Sequence, residues 1–436
     1  MPTRCPQART VGNVHQWQQG MRSLFRLYKR LDAGASEHRP FSRRWLAAAV
    51  VCLAVAGCGS RSFQPESAAS VGLLARAEVQ SEDGLTVRAA VPGREETERL
   101  FGVPLYDRGI QPVWLEIENR GPARVRVAHT SIDRDYHSPL EVAYLHRKSF
   151  SGPARTEMET YYHKAAIPRF VRPGETKSGF VFTNARPGTK AFNVDLFGAD
   201  RNDHSFTFFI DVPGFVPDHA EVNFENLYTA EQVAEIDAAG LRESLAILPQ
   251  YATDANGTAR GDPVNVIFVA HGLDLRSALL RSGWQETPAG SESDKAPGRS
   301  VQFLYDRPPD AILRKGRGED DRNELRIWLA PMRVDGRPVW LAQVTHHLPG
   351  LFGIEYQDPD LDEARYYLLQ TLWYGQSLKQ LAWRAAIEPV AVSEPVLGFR
   401  RRGYFTDGYQ LVLWPSGDPV SLIEVVRLRW DARTGQ

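Results

Sequence analysis

Apolar and polar residues alternate in short stretches over the first half of the chain, which predicts β-strands. The alternation is clearest at residues 113–117, 125–127, 180–182, 192–196 and 206–210. The turn sequence Asn-Arg-Gly-Pro between the first two stretches favours a hairpin with one apolar face and one charged face. Short strands separated by Pro and Gly are typical of an antiparallel β-sandwich, which we predict over residues 74–215.

One insertion, from Asp133 to Lys164, interrupts this alternation. It is rich in tyrosine and carries Asp133, Asp135, His137, His146 and His163. One hypothesis is a loop that binds a metal or another ligand. The alternative is a solvated loop whose histidines lie far apart, because no pair has the close spacing of metal ligands.

A connector and a second domain follow. Thr229 and Gln232 form a capping box, and the apolar spacing after them predicts a helical connector over residues 216–247. The second domain is predicted over residues 248–436. Its strands and helices are mixed along the chain, which favours an α+β (mixed α/β) fold over a doubly wound parallel sheet.

Four features of the second domain support this interpretation. Residues 264–270 are continuously apolar, as in a buried strand, and lead into a helix that ends at Gly283. Asp335-Gly336 is a strong hairpin signal. Asp358-Pro359-Asp360 is typical of a capped helix start with proline at the first helical position.

An apolar run near the amino terminus indicates where the protein resides. Residues 45–57 follow two arginines and end in Val-Ala-Gly before Cys58, which resembles a bacterial lipoprotein signal peptide. The run is shorter than the roughly 20 apolar residues that span a bilayer. We predict a cleaved leader at 1–57, with a true start at Met21 or later as an open alternative, acylation of Cys58, and a flexible tether at 58–73. The alternative is a buried helix with an ordinary thiol.

Composition and charge narrow the classes of partner. The three cysteines, Cys5, Cys52 and Cys58, lie at or before the cleavage site, so disulfides and cysteine chemistry are not expected in the mature protein. Removing residues 1–57 takes away nine of the 52 Lys/Arg and two of the 53 Asp/Glu, which leaves a formal net charge of −8. An acidic protein argues against nucleic-acid partners.

Candidate binding residues lie in the second domain. Five basic residues, Arg314, Lys315, Arg317, Arg322 and Arg326, precede the Asp-Pro-Asp turn, and Arg400–Arg402 follow it. Such arginines could hold a phosphate by bidentate contacts, whereas solvated surface charge is the alternative. His346-His347 with the nearby aspartates could suggest a metal site, but adjacent strand residues point to opposite faces and acidic residues suit a helix start. We predict no metal and no cofactor.

Several motifs in this half occur in a characteristic order: Ile247-Leu248-Pro249, Ser282-Gly283-Trp284, residues 322–329 (RNELRIWL), 335–340 (DGRPVW), 358–365 (DPDLDEAR) and 404–408 (YFTDG). Together they resemble the LssY carboxyl-terminal-like family over about residues 245–415. That family often accompanies membrane-embedded lipid phosphatase-type domains, and the resemblance implies no catalytic residues. The chain departs from relatives by having Glu324 where a histidine is common.

These observations predict a lipid-anchored protein of the bacterial cell envelope, facing the periplasm, that acts as a binding or scaffolding module. The alternative is an envelope enzyme acting on a phosphorylated lipid or glycan. The candidate ligand-binding residues are Arg322, Arg326, Asp358, Asp360 and Asp407. The expected partners are the membrane, through acyl chains on Cys58, and envelope proteins or a phosphorylated lipid. If the candidate residues share one pocket, the enzyme is favoured.

Overall fold

The structure, a computed structural model, describes residues 62–290, 302–316, 321–349, 355–391 and 403–430. The predicted leader and Cys58 lie outside the described residues, as do Arg317 and Arg400–Arg402. Across the described stretches, no helix combines the length and apolar character needed to cross a membrane. The described chain is mostly β-sheet with several antiparallel sheets and few helices, as the alternation predicted.

The N-terminal region, 62–215, contains two four-stranded antiparallel sheets. Its strands are β1 (Glu78–Glu82), β2 (Leu85–Ala90), β3 (Ile110–Asn119), β4 (Val125–Ala128), β5 (Phe170–Val171), β6 (Thr176–Asn184), β7 (Thr189–Gly198) and β8 (Asp203–Asp211). One sheet has the order β1-β2-β3-β6 and the other β5-β4-β7-β8. Apolar side chains from both, among them Leu115, Val194 and Phe208, share one buried core. Each such side chain contributes about 1.5–3 kcal/mol by leaving water.

The predicted hairpin between residues 113–117 and 125–127 is wrong. β3 pairs with β2 and β6, whereas β4 pairs with β5 and β7 in the other sheet. The turn between them carries the chain across the core. The side-chain Nδ2 of Asn119 donates to the Ala123 carbonyl at 2.8 Å and to the Val171 carbonyl at 3.1 Å, which fixes this crossing. Both strands still direct apolar residues to the same core, from opposite sides.

The interpretation of 133–164 as a solvated loop is also wrong. The N-terminal region contains four described α-helices: α1 (Arg94–Phe101), α2 (His129–Ile132), α3 (Pro139–Leu145) and α4 (Gly152–Ala165). The last two, α3 and α4, cover most of the insertion. Ser138 caps α3, since its hydroxyl accepts from the Glu141 amide at 3.2 Å. Met158 and Tyr162 of α4 are fully buried in a second apolar core.

The predicted flexible tether at 58–73 is wrong for its described part. Phe63 is 8% exposed and Leu73 is fully buried. The Phe63 ring lies 5.3 Å from the Phe150 ring and 5.5 Å from the Tyr161 ring, both edge-on. This segment is therefore packed against the second core. The segment is polar in composition, so the burial of its two apolar residues, Phe63 and Leu73, was not predicted.

The C-terminal region, 216–430, is organised around one large mixed sheet. Its elements are β9 (Ala234–Ile236), α5 (Leu241–Ser244), β10 (Tyr251–Thr253), β11 (Arg260–Pro263), β12 (Val266–Val269), α6 (Gly272–Arg281), β13 (Gln285–Glu286), β14 (Ala311–Gly316), β15 (Arg322–Val334), β16 (Arg337–Pro349), β17 (Glu355–Gln357), α7 (Leu361–Tyr374), β18 (Leu378–Ala385), β19 (Tyr409–Pro415) and β20 (Val426–Leu428). The ten described strands of this sheet run β13-β14-β15-β16-β12-β19-β18-β20, with β17 on β16 and β9 on β15.

The two faces of this sheet bury different partners. One face packs against α6 and α7, and its core includes Leu325, Ile327 and Leu368. The opposite face buries Trp328 and Leu341 under other segments of the region. Because successive strand residues alternate between faces, even-numbered residues of β15 near Trp328 point away from the two helices.

One local prediction in this region is confirmed, and a second is confirmed in part. Asp335 and Gly336 join β15 to β16, and both have positive φ, 47° and 76°, as a type I′ hairpin turn requires. Asp360 caps α7, with its carboxylate accepting from the Asp362 and Glu363 amides at 3.1 Å. Pro359 precedes the cap and does not occupy the first helical position.

The predicted helical connector at 216–247 is largely wrong. Short 3₁₀ turns occupy 218–221, 224–226 and 230–232, and β9 then pairs in parallel with β15. The capping box of Thr229 and Gln232 is present but begins only a 3₁₀ turn. Pairing with the sheet satisfies this backbone better than an isolated short helix would.

Candidate functional site

Arg322 and Arg326 surround a buried carboxylate. Both lie on β15, are 6% and 5% exposed, and flank Glu324, which is fully buried. The Glu324 carboxylate lies 2.6 Å from Arg326 Nη2, 3.1 Å from Arg314 Nε and 3.9 Å from Arg322 Nε. Burial raises the pKa of the neighbouring Asp262, whereas the charge of Arg326 opposes that rise. This cluster lies on the sheet face away from α6 and α7.

Asp358, Asp360 and Asp407 have structural partners at the start of α7. The Asp358 carboxylate accepts from the Asp360 amide at 3.0 Å and contacts His346 Nδ1 at 3.3 Å. Both oxygens of Asp407 lie 2.9 Å from Arg365 Nη2. These three aspartates therefore shape a helix start and its contact with the loop before β19.

Arg365 is the buried centre of this second group, and the sequence interpretation missed its importance. It is fully buried, contacts Asp362 at 3.1 Å and donates to the Tyr409 carbonyl. The signal was present, since Arg365 follows Leu361 by four residues and precedes Leu368 by three on the apolar stripe of α7. The group ties α7 to β19.

The five predicted residues consequently form two groups and not one site. Arg322 and Arg326 belong to the face that buries Trp328, whereas α7 packs on the other face. The adjacent residues His346 and His347 also have their contacts in different places. His346 contacts Asp358, while His347 Nε2 lies 3.0 Å from the Thr345 hydroxyl.

A separate cleft of about 540 Å³ lies where the N-terminal region meets α6; we call it the central cleft. Its walls come from the start of the insertion, from β7 and β8, and from the end of α6. The lining residues are Thr130, Ser131, Ile132, Asp133, Arg134, Asp135, Asn184, Arg186, Lys190, Ala191, Phe192, Asn193, Thr207, Phe209 and Arg281. Its volume lies within the usual range for small-molecule sites.

A partly buried ion-pair network next to the central cleft connects α6 to the N-terminal region. Arg276 of α6 donates to Glu286 at 2.8 Å, to Asp211 at 2.9 Å and to the Thr189 hydroxyl at 2.6 Å. The second oxygen of Glu286 accepts from the amide and the hydroxyl of Thr189, each at 3.0 Å. Burial alone would lower the pKa of Arg276. The hydrogen bond and the charge of Glu286 outweigh burial, so the pKa lies above its ordinary value.

Lys190 is the distinctive side chain of the central cleft. It is 2% exposed, and its ammonium donates to the Asn184 carbonyl at 2.6 Å. Burial lowers its pKa to about 7, the charge of Arg186 lowers it further, and the charge of Asp133 opposes the shift. Near neutral pH this amine therefore exchanges between charged and neutral forms inside a polar cleft.

The other charges around Lys190 are predominantly positive. Arg134, Arg186 and Arg281 line the same cleft, against the carboxylates of Asp133 and Asp135. Burial raises the pKa of Asp133, but amide hydrogen bonds from Asn184 and Asp135 bring it below its ordinary value.

The Arg281 side chain has one hydrogen-bond donor, Nε, without a partner among the described residues. It closes the cleft at the end of α6, with Nη2 on the Gly417 carbonyl and Nη1 3.4 Å from the Gln376 carbonyl. The Nε atom is buried. A buried donor without a partner costs about 1–3 kcal/mol.

The arrangement suits an acceptor-rich anion. Four cationic side chains exceed two carboxylates, and the side-chain amide nitrogen of Asn193 adds a neutral donor. The Ser131 and Thr207 hydroxyls already donate, to the Ala128 carbonyl and to the Asn193 amide oxygen. Charge-assisted hydrogen bonds from arginine and lysine are the strong contacts to phosphate, sulfate and carboxylate groups.

A comparison with known protein families identifies the domain that contains α6, one wall of the central cleft. Residues 245–409 match the family model described as LssY C-terminus. The C-terminal region therefore carries an LssY-like domain. This domain contains Arg276, Arg281 and Glu286, whereas Asp133 and Lys190 lie outside the match.

No curated protein matches the chain significantly. Among solved structures, one similar chain is a candidate lipoprotein, ycdA, from Bacillus subtilis subsp. subtilis str. 168. It is 10% identical, with a TM-score of 0.18, and the alignment covers 67% of this chain and 98% of that chain. A TM-score this low carries no argument about fold or function.

The histidines of the insertion do not assemble as a ligand set. His137 contacts Glu141 at 3.4 Å, and His163 is exposed on α4. His146 is 4% exposed, and burial lowers its pKa to about 4, with a smaller contribution from Arg108. The insertion instead contributes Asp133 and its two neighbours to the central cleft.

Within the described residues, one group has three carboxylate or imidazole atoms close enough for a cation: Glu82, Asp83 and His204. These atoms lie within 4.8 Å of one another. Glu82 and Asp83 are exposed at the turn between β1 and β2. Exposed acidic turns are common without a metal, so the group carries no assignment.

Sequence interpretation also missed Lys190, although the alternation contained a signal. Phe192, Val194 and Leu196 point to the core of the N-terminal region, and Lys190 occupies the preceding position of the same face. A lysine in line with core residues is expected to be buried at the end of the strand. Its partners Asp133 and Arg281 are distant in sequence, so their convergence could not be predicted.

Proposed function

We propose that this protein is a lipid-anchored binding module of the bacterial envelope and that its central cleft binds a small anion or the anionic group of a larger ligand. Its architecture is interpreted as an N-terminal β-sandwich joined to an LssY-like α+β domain. The single observation that carries the binding proposal is Lys190, a buried amine among three arginines and two carboxylates.

The anchoring part of the proposal rests on sequence alone. Val55-Ala56-Gly57 before Cys58 provides the lipoprotein pattern. Two or more acyl chains would hold the protein stably at a membrane, whereas one chain binds only marginally. Replacing Cys58 with alanine should move the protein from the membrane fraction to the soluble fraction. An unchanged membrane fraction would contradict lipid anchoring.

Sulfate is a suitable probe for the central cleft. A bound ligand at ten times its Kd stabilises the folded protein by RT ln 11, about 1.4 kcal/mol. For a chain of this length that corresponds to a rise in Tm of about 2 °C. We expect this rise at pH 6, and we expect Lys190→Gln to abolish it.

Lys177→Gln is the matched control, because Lys177 is a lysine on β6 of the same region, 40% exposed and outside the central cleft. It should keep the full sulfate response. Equal responses in Lys190→Gln and Lys177→Gln would mean that sulfate acts elsewhere, and the binding proposal would then fail.

The separation of the five predicted residues supports the binding module over the alternative of an envelope enzyme built on them. Arg322 and Arg326 point to one sheet face, and Asp358, Asp360 and Asp407 support α7 on the other. A scaffolding role remains compatible with the binding proposal. Capture of envelope proteins by the acylated protein would test that role separately.

A further inference from the structure

A second groove lies at the opposite end of the large sheet from β13. It has a volume of about 600 Å³ and lies between α7 and strands β18 and β20; we call it the edge groove. Its lining residues are Tyr366, Leu369, Trp373, Leu381, Trp383, Arg427, Leu428 and Arg429. The edge groove shares no lining residue with the central cleft.

The floor of the edge groove is apolar and aromatic. Leu369 and Leu381 are 8% and 3% exposed at its base. The Tyr366 ring lies 5.4 Å from the Trp383 ring, and Trp373 stands half-buried beside them. Such a floor suits a hydrocarbon chain, which gains about 0.8 kcal/mol for each methylene buried.

The rim of the edge groove is cationic. Arg427 and Arg429 are exposed, and the Arg427 guanidinium lies 4.6 Å from the Trp373 ring centroid. No carboxylate lines the groove, and no described carboxylate forms an ion pair with either arginine. Two unneutralised guanidinium groups at the edge of an apolar floor are complementary to an anionic head group with an attached chain.

The surface beside the edge groove exposes further apolar side chains. Ile423 is 94% exposed, Tyr374 is 76% exposed and Val426 is 52% exposed. A hydrogen bond of 2.8 Å from the Val420 amide to the Gln376 carbonyl holds this segment next to the end of α7. Exposed aliphatic and aromatic residues next to arginines are typical of surfaces that contact a lipid head-group layer.

We infer that the edge groove binds one anionic phospholipid of the bilayer, with its phosphate held by Arg427 and Arg429 and an acyl chain over Trp373 and Trp383. A neutral glycan is less suitable, because the lining offers few hydrogen-bonding groups besides the arginines and the Tyr366 hydroxyl. A lipid-anchored protein would meet this ligand at high local concentration. The inference goes beyond anion binding in the central cleft and does not depend on it.

The test is a calorimetric titration with three soluble probes, made on the full chain carrying Lys190→Gln so that anion binding in the central cleft does not contribute. Dihexanoyl phosphatidylglycerol should bind with one molecule per chain. Dihexanoyl phosphatidylcholine, whose head group has no net charge, should bind at least tenfold more weakly. Glycerol 3-phosphate, which has the phosphate without the chains, should also bind at least tenfold more weakly at this site.

Variants separate the edge groove from other surfaces. The double variant Arg427→Gln/Arg429→Gln should weaken phosphatidylglycerol binding at least tenfold, whereas Arg172→Gln/Arg201→Gln on the N-terminal region should leave it unchanged. Trp373→Ala should weaken both lipids. If the two lipids bind equally, if glycerol 3-phosphate binds as well as the lipid, or if the double variant retains full affinity, the inference is wrong. A Lys190→Gln variant should bind the lipid normally, which distinguishes the two sites.

Discussion

The buried amine of Lys190 predicts that anion binding in the central cleft depends on pH. Burial lowers the pKa of Lys190 to about 7, so the side chain is mostly protonated at pH 6 and mostly neutral at pH 8. Only the protonated amine offers a positive charge to the anion. We therefore expect the affinity for sulfate to fall as the pH rises through 7.

The size of the effect follows from linkage. If sulfate binds only the protonated form, the apparent Kd is multiplied by 1 + 10^(pH − pKa). With a pKa of about 7 the factor is about 1.1 at pH 6 and about 11 at pH 8. The affinity should consequently fall about tenfold over this range, or about 1.4 kcal/mol.

The carboxylate nearest Lys190 does not change its charge between pH 6 and pH 8. Burial raises the pKa of Asp133, yet hydrogen bonds from Asn184 and Asp135 leave it below its ordinary value, so this carboxylate stays ionised. Burial lowers the pKa of His129, next to the cleft residue Thr130, and the charge of Arg169 lowers it further; His129 itself does not line the cleft. Sulfate itself keeps a constant charge between pH 6 and pH 8, unlike phosphate.

Isothermal titration calorimetry at pH 6, 7 and 8 measures the effect directly. The unmodified chain and the Lys177→Gln control should show the tenfold decline. A Lys190→Arg variant, which stays protonated, should bind with little dependence on pH. An affinity for sulfate that is constant from pH 6 to pH 8 in the unmodified chain would refute the role given to Lys190.

Three substitutions test packing and buried charge, each by chemical denaturation. Glu286→Ala removes the buried one of the two carboxylates that bind Arg276 and should lower the free energy of unfolding by about 3 kcal/mol. Glu324→Ala removes the fully buried partner of two arginines and should cost about 3–5 kcal/mol, whereas the exposed Glu157→Ala should cost less than about 0.5. Phe63→Ala should cost about 3 kcal/mol. A near-zero value for Phe63→Ala would restore the flexible tether.

The strands were predictable because side-chain burial on a sheet repeats every second residue. The alternation at 113–117 and 192–196 appears in β3 and β7 as expected. The partner of each strand was not predictable from the same pattern. β3 and β4 fit a hairpin and a crossing between two sheets equally well, since both arrangements bury the same side chains. The Asn119 hydrogen bonds that fix the crossing involve Val171, distant in sequence.

Charged residues on core-facing positions caused the errors at the candidate sites. Arg322 and Arg326 looked like ligand-binding surface charges, but they enclose Glu324 in the sheet. Lys190 continued an apolar face and was overlooked. In each case the sequence contains the charge, whereas its environment depends on residues brought together by the fold.

Anomalous diffraction from crystals of the protein soaked in selenate would test the central claim most directly. The account predicts a selenium peak inside the central cleft, with a selenate oxygen within about 3 Å of the Lys190 ammonium. The same peak should be absent from crystals of Lys190→Gln. The contrary result would be selenium peaks at exposed surface arginines, each at full occupancy, with no peak in the central cleft. That result would contradict the account.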